Sequence, residues 1–184
     1  MIFNLFYPAV LGTFFVSLLP SLFESFRRGI DLSASFDWKL LTALLIVAHF
    51  VVDYVFTEEV RLYKAGMFTL DLLVIILLYI AYSSVHLNDG GEFQVKSIAL
   101  SMSGVYFSFL AWEYLERKEI GKQPAMTAYE AFFAVWFLIV GFLWQGPVVL
   151  GLSLLAATAL MIIICGNVLR DYHARLHGPS GVDS

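Results

Sequence analysis

Apolar residues run through this chain in long blocks of nearly constant length, separated by short polar stretches. Five windows, roughly 38–57, 66–86, 97–116, 127–145 and 147–169, are each close to 20 residues of mainly Leu, Ile, Val, Phe and Ala. An α-helix of about 20 apolar residues, rising about 1.5 Å per residue, crosses a hydrocarbon layer of about 30 Å. A sixth stretch, roughly 2–23, is more mixed. Thr13, Ser17, Ser21, Glu24 and Arg28 recur at helical spacing and mark a polar stripe, and Pro8 and Pro20 are expected to kink or break a helix. Such a segment either spans with its stripe turned into a bundle or lies in the interface as an amphipathic helix; spanning is the favoured expectation. The pattern predicts an all-α, polytopic integral membrane bundle of about six transmembrane helices, or five if the N-terminal segment is interfacial.

The links between windows are short. WQGPVV at 144–149 places a glycine before a proline that suits the first position of a helix, and HLNDGGEF at 86–93 is a polar, glycine-rich loop. No composition shift marks a second domain, so residues 1–170 are expected to form one transmembrane domain and 171–184 a cytoplasmic tail.

Composition narrows the class. The chain is 60% hydrophobic and 14% charged, with a mean hydropathy of +0.80. A small domain has too little interior to hide that much apolar surface, so lipid has to solvate it. The N-terminal run has no preceding Lys or Arg and is read as part of the mature protein rather than a leader. A net charge of −4 without a basic block speaks against nucleic acid. The single cysteine, Cys165, excludes an intrachain disulfide. Arg61, Lys64, Arg117, Lys118, Lys122, Arg170 and Arg175 fall on one side of the expected spans, against Arg27, Arg28, Lys39 and Lys96 on the other. Seven against four puts the first set, and the C-terminus, in the cytoplasm, with the plasma (bacterial inner) membrane as the expected location.

Candidate chemistry gathers near that side. Asp53 precedes one connecting loop by a few residues and Asp71 follows it, so a helical hairpin sets the two carboxylates at similar depth, roughly 7–8 Å inside the helix ends. Glu130, Glu113 and Asn167 fall at similar depth on three further helices, completing an expected layer of four carboxylates and an amide. His49 shares a helical face with Asp53, and Asp71, Tyr79, Tyr82 and His86 lie along one side of the next helix. Ionisable groups inside a membrane are costly and mark ion or proton pathways or structural pairs. Arg117 for Glu113, Arg61 or Lys64 for Asp71, and a helix N-terminus for Glu130 are the structural alternatives.

A second pattern is the run of small residues Ser97, Ser101, Gly104, Ser108 and Ala111, spaced for close helix packing. If this stripe packs inside the protomer, Glu113 is expected to face outward; if it joins subunits, Glu113 faces in. Nucleotide-binding, hydrolase and metalloprotease signatures are absent, and His49 and His86 lie at different depths, which fails a haem clamp. No cofactor or metal is expected, and an enzymatic role is the less favoured reading. Two functions remain. One is an oligomeric cation or proton channel or transporter working through the acidic layer. The other is a self-associating membrane anchor or sensor that docks a soluble cytoplasmic protein through Arg117, Lys118, Lys122, Arg170 and Arg175.

Overall fold

A computed structural model describes the backbone of residues 3–29, 35–60, 65–87, 91–116, 124–144 and 146–177, with side chains for 8–29, 38–55, 68–87, 91–115, 124–144 and 146–171. The described residues form six helices: α1 (Phe3–Arg28), α2 (Ser35–Val60), α3 (Ala65–Ser83), α4 (Val95–Glu116), α5 (Pro124–Leu143) and α6 (Pro147–His177). Five of them, α1, α2, α4, α5 and α6, are long and apolar enough to cross a membrane. The protein is thus an all-α, polytopic membrane bundle.

The two least regular predictions change in detail. The N-terminal segment is a continuous helix despite Pro8 and Pro20. Its hydroxyls turn back on the helix itself: Thr13 Oγ1 donates to Ala9 O at 3.1 Å and Ser17 Oγ to Phe14 O at 2.9 Å. Side-chain bonds of this kind supply local pairing where a membrane helix carries proline. The expected polar stripe coincides with the buried face only in part: Ser21 is buried beside Phe14, Leu18 and Ser25 and Ser17 is half-buried, whereas Thr13, Glu24 and Arg28 are exposed. α3 ends at Ser83, three residues before the end of the window 66–86. The chain leaves the helix at Ser84, and His86 takes a positive φ of 51°. Lys39 Nζ steadies that end of α3 by donating to His86 O at 3.2 Å and Gly91 O at 2.7 Å.

The order of packing decides where the site lies. α4 is the central helix, held most extensively by α5 and then α3, while α2 packs on α6 and α1 on α2. Close approach of α2 and α6 depends on Gly151, where a Cβ would come within 2.6 Å of the Trp38 ring. Between α5 and α6 the turn forms as its sequence requires: Pro147 opens α6, and Gly146 O accepts the Leu150 amide at 3.1 Å.

The core is Phe14, Ile46, Phe50, Ile98, Met102, Phe137 and Leu150, with Tyr106 at its centre. Outside, Val16, Phe23, Phe26, Phe132, Leu143 and Ile163 are more than half exposed, the lipid-facing surface that the hydropathy required.

Candidate functional site

Asp53 of α2, Asp71 of α3 and Glu130 of α5 line one narrow cleft, together with Ser108 and Trp112 of α4, Tyr129 of α5 and Met161 and Cys165 of α6. Helix geometry brings them there. Asp53 lies seven residues before the end of α2, and Asp71 and Glu130 are each six residues after the start of their helices. At 1.5 Å per residue all three carboxylates sit about 10 Å inside a helix end. They are 7%, 3% and 1% exposed. The cleft has about 30 Å³ of space for water, enough for one or two molecules.

Glu130 is the least satisfied of the three. Its Oε2 is buried and has no hydrogen-bond partner among the described residues, a condition that is costly for a carboxylate unless a proton, a cation or water meets it. Because α5 begins at Pro124, Glu130 is not in the first helical turn, and the helix-terminus explanation for its carboxylate falls away. Among the described residues no three His, Cys, Asp or Glu side chains converge as metal ligands would.

Glu113 is buried and does not line the cleft, though its carboxyl group is near enough to Glu130 for the two to interact electrostatically. Thr127 of α5 donates to its Oε1, and its Oε2 has no partner among the described residues. The choice between an inward stripe and an inward Glu113 therefore dissolves. Ser97 pairs with Ser84 at 2.7 Å, a Cβ on Gly104 would lie 2.9 Å from Leu77 of α3, and Ser101 and Ser108 are buried, so the stripe packs inside the protomer. α4 is central and covered on opposite sides, which buries both. Ala111, at the end of the stripe, is exposed.

A chain of hydrogen bonds runs from the cleft into the core. The Tyr129 hydroxyl donates to Ala157 O at 2.7 Å and lies 2.7 Å from the Tyr106 hydroxyl. Tyr106 reaches His49 Nε2 at 2.7 Å. On the other side of the imidazole, Nδ1 faces Leu45 O at 3.0 Å and Thr158 Oγ1 at 2.8 Å. Tyr106 is wholly buried, stacked on Phe133 and Phe137 with ring centroids 5.6 and 5.7 Å away.

Several expected members are elsewhere. Asn167 is exposed on α6, outside the acidic cleft. The α3 tyrosines do not continue a path from Asp71: Tyr79 is half exposed, and Tyr82 bonds to Ser17 and to Phe14 O of α1. Arg170 is exposed; Arg117, Lys118 and Lys122 lie outside the described residues, as does the side chain of Arg175 on α6. Tyr106, Tyr129 and Thr158 were absent from the predicted set. Helix register was a usable signal, since His49 is eleven residues from the end of α2 and Tyr106 ten from the end of α4, which puts them at one depth. A hydroxyl at that depth in lipid needs a partner.

Fold and site together define the class: a multi-pass helical membrane protein with a buried acidic cleft and a hydrogen-bonded tyrosine–histidine chain leading from it. Compared with known protein families, characterised proteins and solved structures, the chain gives no match.

Proposed function

We propose that the protein carries a cation or protons across a membrane, with Asp53, Asp71 and Glu130 as the binding groups. The observation that carries this reading is Glu130, 1% exposed, with one oxygen unpartnered, on a cleft shared with two further carboxylates. Burying ionisable groups in lipid costs about 2.5–3.5 kcal/mol each at the centre of a helix, even on the lenient insertion scale. Three at one depth on three helices are poorly explained by packing, which leucine or asparagine would serve at lower cost. An ion or proton supplies the partner that Glu130 Oε2 lacks among the described residues.

The test is ion flux in proteoliposomes, comparing the native protein with Asp53→Asn/Asp71→Asn and with Glu130→Gln. Each substitution keeps side-chain shape while removing the charge. Flux is expected to fall to the level of empty vesicles in the double variant and sharply in Glu130→Gln, with helicity and monodispersity retained. Native flux from a folded Asp53→Asn/Asp71→Asn protein rejects the reading.

A further inference from the structure

Resting on the acidic-cleft reading, we infer that the transported species is the proton, and that Tyr129, Tyr106 and His49 are the wire it follows from the cleft into the membrane. Tyr129 belongs to both parts: it lines the cleft beside Glu130, and its hydroxyl is 2.7 Å from that of Tyr106. The Tyr106 hydroxyl is in turn 2.7 Å from His49 Nε2. Every heavy-atom separation along this chain is a normal hydrogen-bond length. The rings of Phe133 and Phe137 close on Tyr106, and Tyr106 and Phe137 are wholly buried. A hydrated metal ion has no room to follow that route. A bare one finds no replacement ligands, since no three ligating side chains converge among the described residues.

The imidazole is built to relay. Its Nε2 faces Tyr106 and its Nδ1 faces the Thr158 hydroxyl at 2.8 Å, so a proton is taken at one nitrogen and given up at the other. Proton accounting closes along the chain. The Tyr129 hydroxyl swings its proton from Ala157 O to the Tyr106 oxygen as it takes one from the cleft. Tyr106 passes its own proton to Nε2, and the Nδ1 proton moves to the Thr158 oxygen, whose own proton passes to a water molecule beyond it. One proton enters and one departs; rotation of the hydroxyls, with water-assisted tautomer exchange of the imidazole back to Nδ1–H, restores the start. Thr158 has the freedom this needs, with Leu154 O at 2.7 Å as the alternative acceptor for its hydrogen. Seven residues before His49 on the same face of α2, Thr42 carries a wholly buried hydroxyl with no partner among the described residues.

The experiment uses proteoliposomes with an internal pH-sensitive dye, with a potassium gradient and valinomycin to set the driving potential; sodium and potassium fluxes are read with their own dyes in parallel vesicles that contain no valinomycin. The native protein is expected to move protons, more slowly in D₂O than in H₂O. Tyr106→Phe keeps the stacked ring and removes only the relaying oxygen; it is expected to cut proton flux by at least about tenfold, the rate equivalent of one lost hydrogen-bonded step. His49→Gln provides a second break in the same chain if Tyr106→Phe does not fold. Native-like proton flux in a folded variant of either kind overturns the wire while the cleft reading stands. Sodium or potassium flux without proton flux does the same. No flux of any ion from the native protein overturns the cleft reading itself.

Discussion

The two sides of α4 carry similar numbers of polar residues and put them to different use. On the side facing α3, the side chains are small, and what matters is how little space they take. Gly104 admits Leu77, and Ser97 meets Ser84 in a single closed pair. On the opposite side, beside the small Ala99 and Ser103 that pack on α5, two large polar side chains matter for the atoms they present: Tyr106 bonds towards α2 and α5, and Glu113 takes a hydrogen bond from Thr127 while its second oxygen has no partner among the described residues. Buried polarity in a membrane helix is therefore not evidence of function by itself. A pair that satisfies itself is architecture, whereas a group that hands its bond onward, or leaves an oxygen unanswered, asks for a ligand.

The largest effect on stability is expected from filling the small side. Gly104→Val pushes a branched side chain into space where even the first carbon would be 2.9 Å from Leu77 Cδ1. Overpacking of this kind costs about 1–3 kcal/mol; the Leu77 methyl, on a half-buried side chain, can turn aside for one added carbon, but the two further methyl groups of valine put the expectation in the upper half of that range. A lowered melting temperature in detergent is the measurement. An unchanged melting temperature means that α3 and α4 are not held by this contact, and the division between the two sides fails.

Thr127→Val probes the other side with a nearly isosteric change. Among the described residues it removes the one hydrogen bond given to Glu113 Oε1 and leaves both oxygens of a 6% exposed carboxyl group without a partner. The expected loss is about 2 kcal/mol, in the range for stranding a buried group. Replacing Glu113 by Gln in the same background should recover part of that loss, because the amide lowers the cost of burial. If Thr127→Val is neutral, Glu113 is satisfied by something other than α5.

Much of this arrangement is legible in the chain, and the misses share a cause. Asp53, Asp71 and Glu130 are set at one depth by counting residues from helix ends, which needs no knowledge of packing. Which face of a helix turns inward is harder when nearly every position is apolar. On α6 the buried residues Leu150, Leu154, Ala157, Met161, Cys165 and Val168 recur every three or four positions, and Asn167 falls opposite Cys165. Depth alone puts Asn167 in the acidic layer; azimuth takes it out. For α4 no single buried face exists to be read, because the helix is covered on opposing sides and open along the strip of Phe107, Ala111 and Tyr114. The tyrosines escaped for a further reason: aromatic content in a membrane protein fits interfacial belts, and only three-dimensional contact separates Tyr106, wholly buried, from Tyr114, 69% exposed.

The smallest effect discriminates most finely between the two kinds of polar contact. Ser84 and Ser97 form a hydroxyl pair at 2.7 Å where α3 meets α4. Ser97→Ala removes one partner and leaves the Ser84 oxygen, on a residue only 7% exposed, to be satisfied elsewhere, which is expected to cost about 1 kcal/mol. Ser84→Ala/Ser97→Ala removes both and is expected to restore most of that, since two methyl groups meeting across a packed seam leave nothing stranded. A coupling energy measured by the double-mutant cycle in detergent reads this directly. Recovery in the double variant marks the pair as closed architecture. Additive losses mean that each serine bonds beyond its partner, and the small side of α4 then belongs with the polar side rather than opposite it.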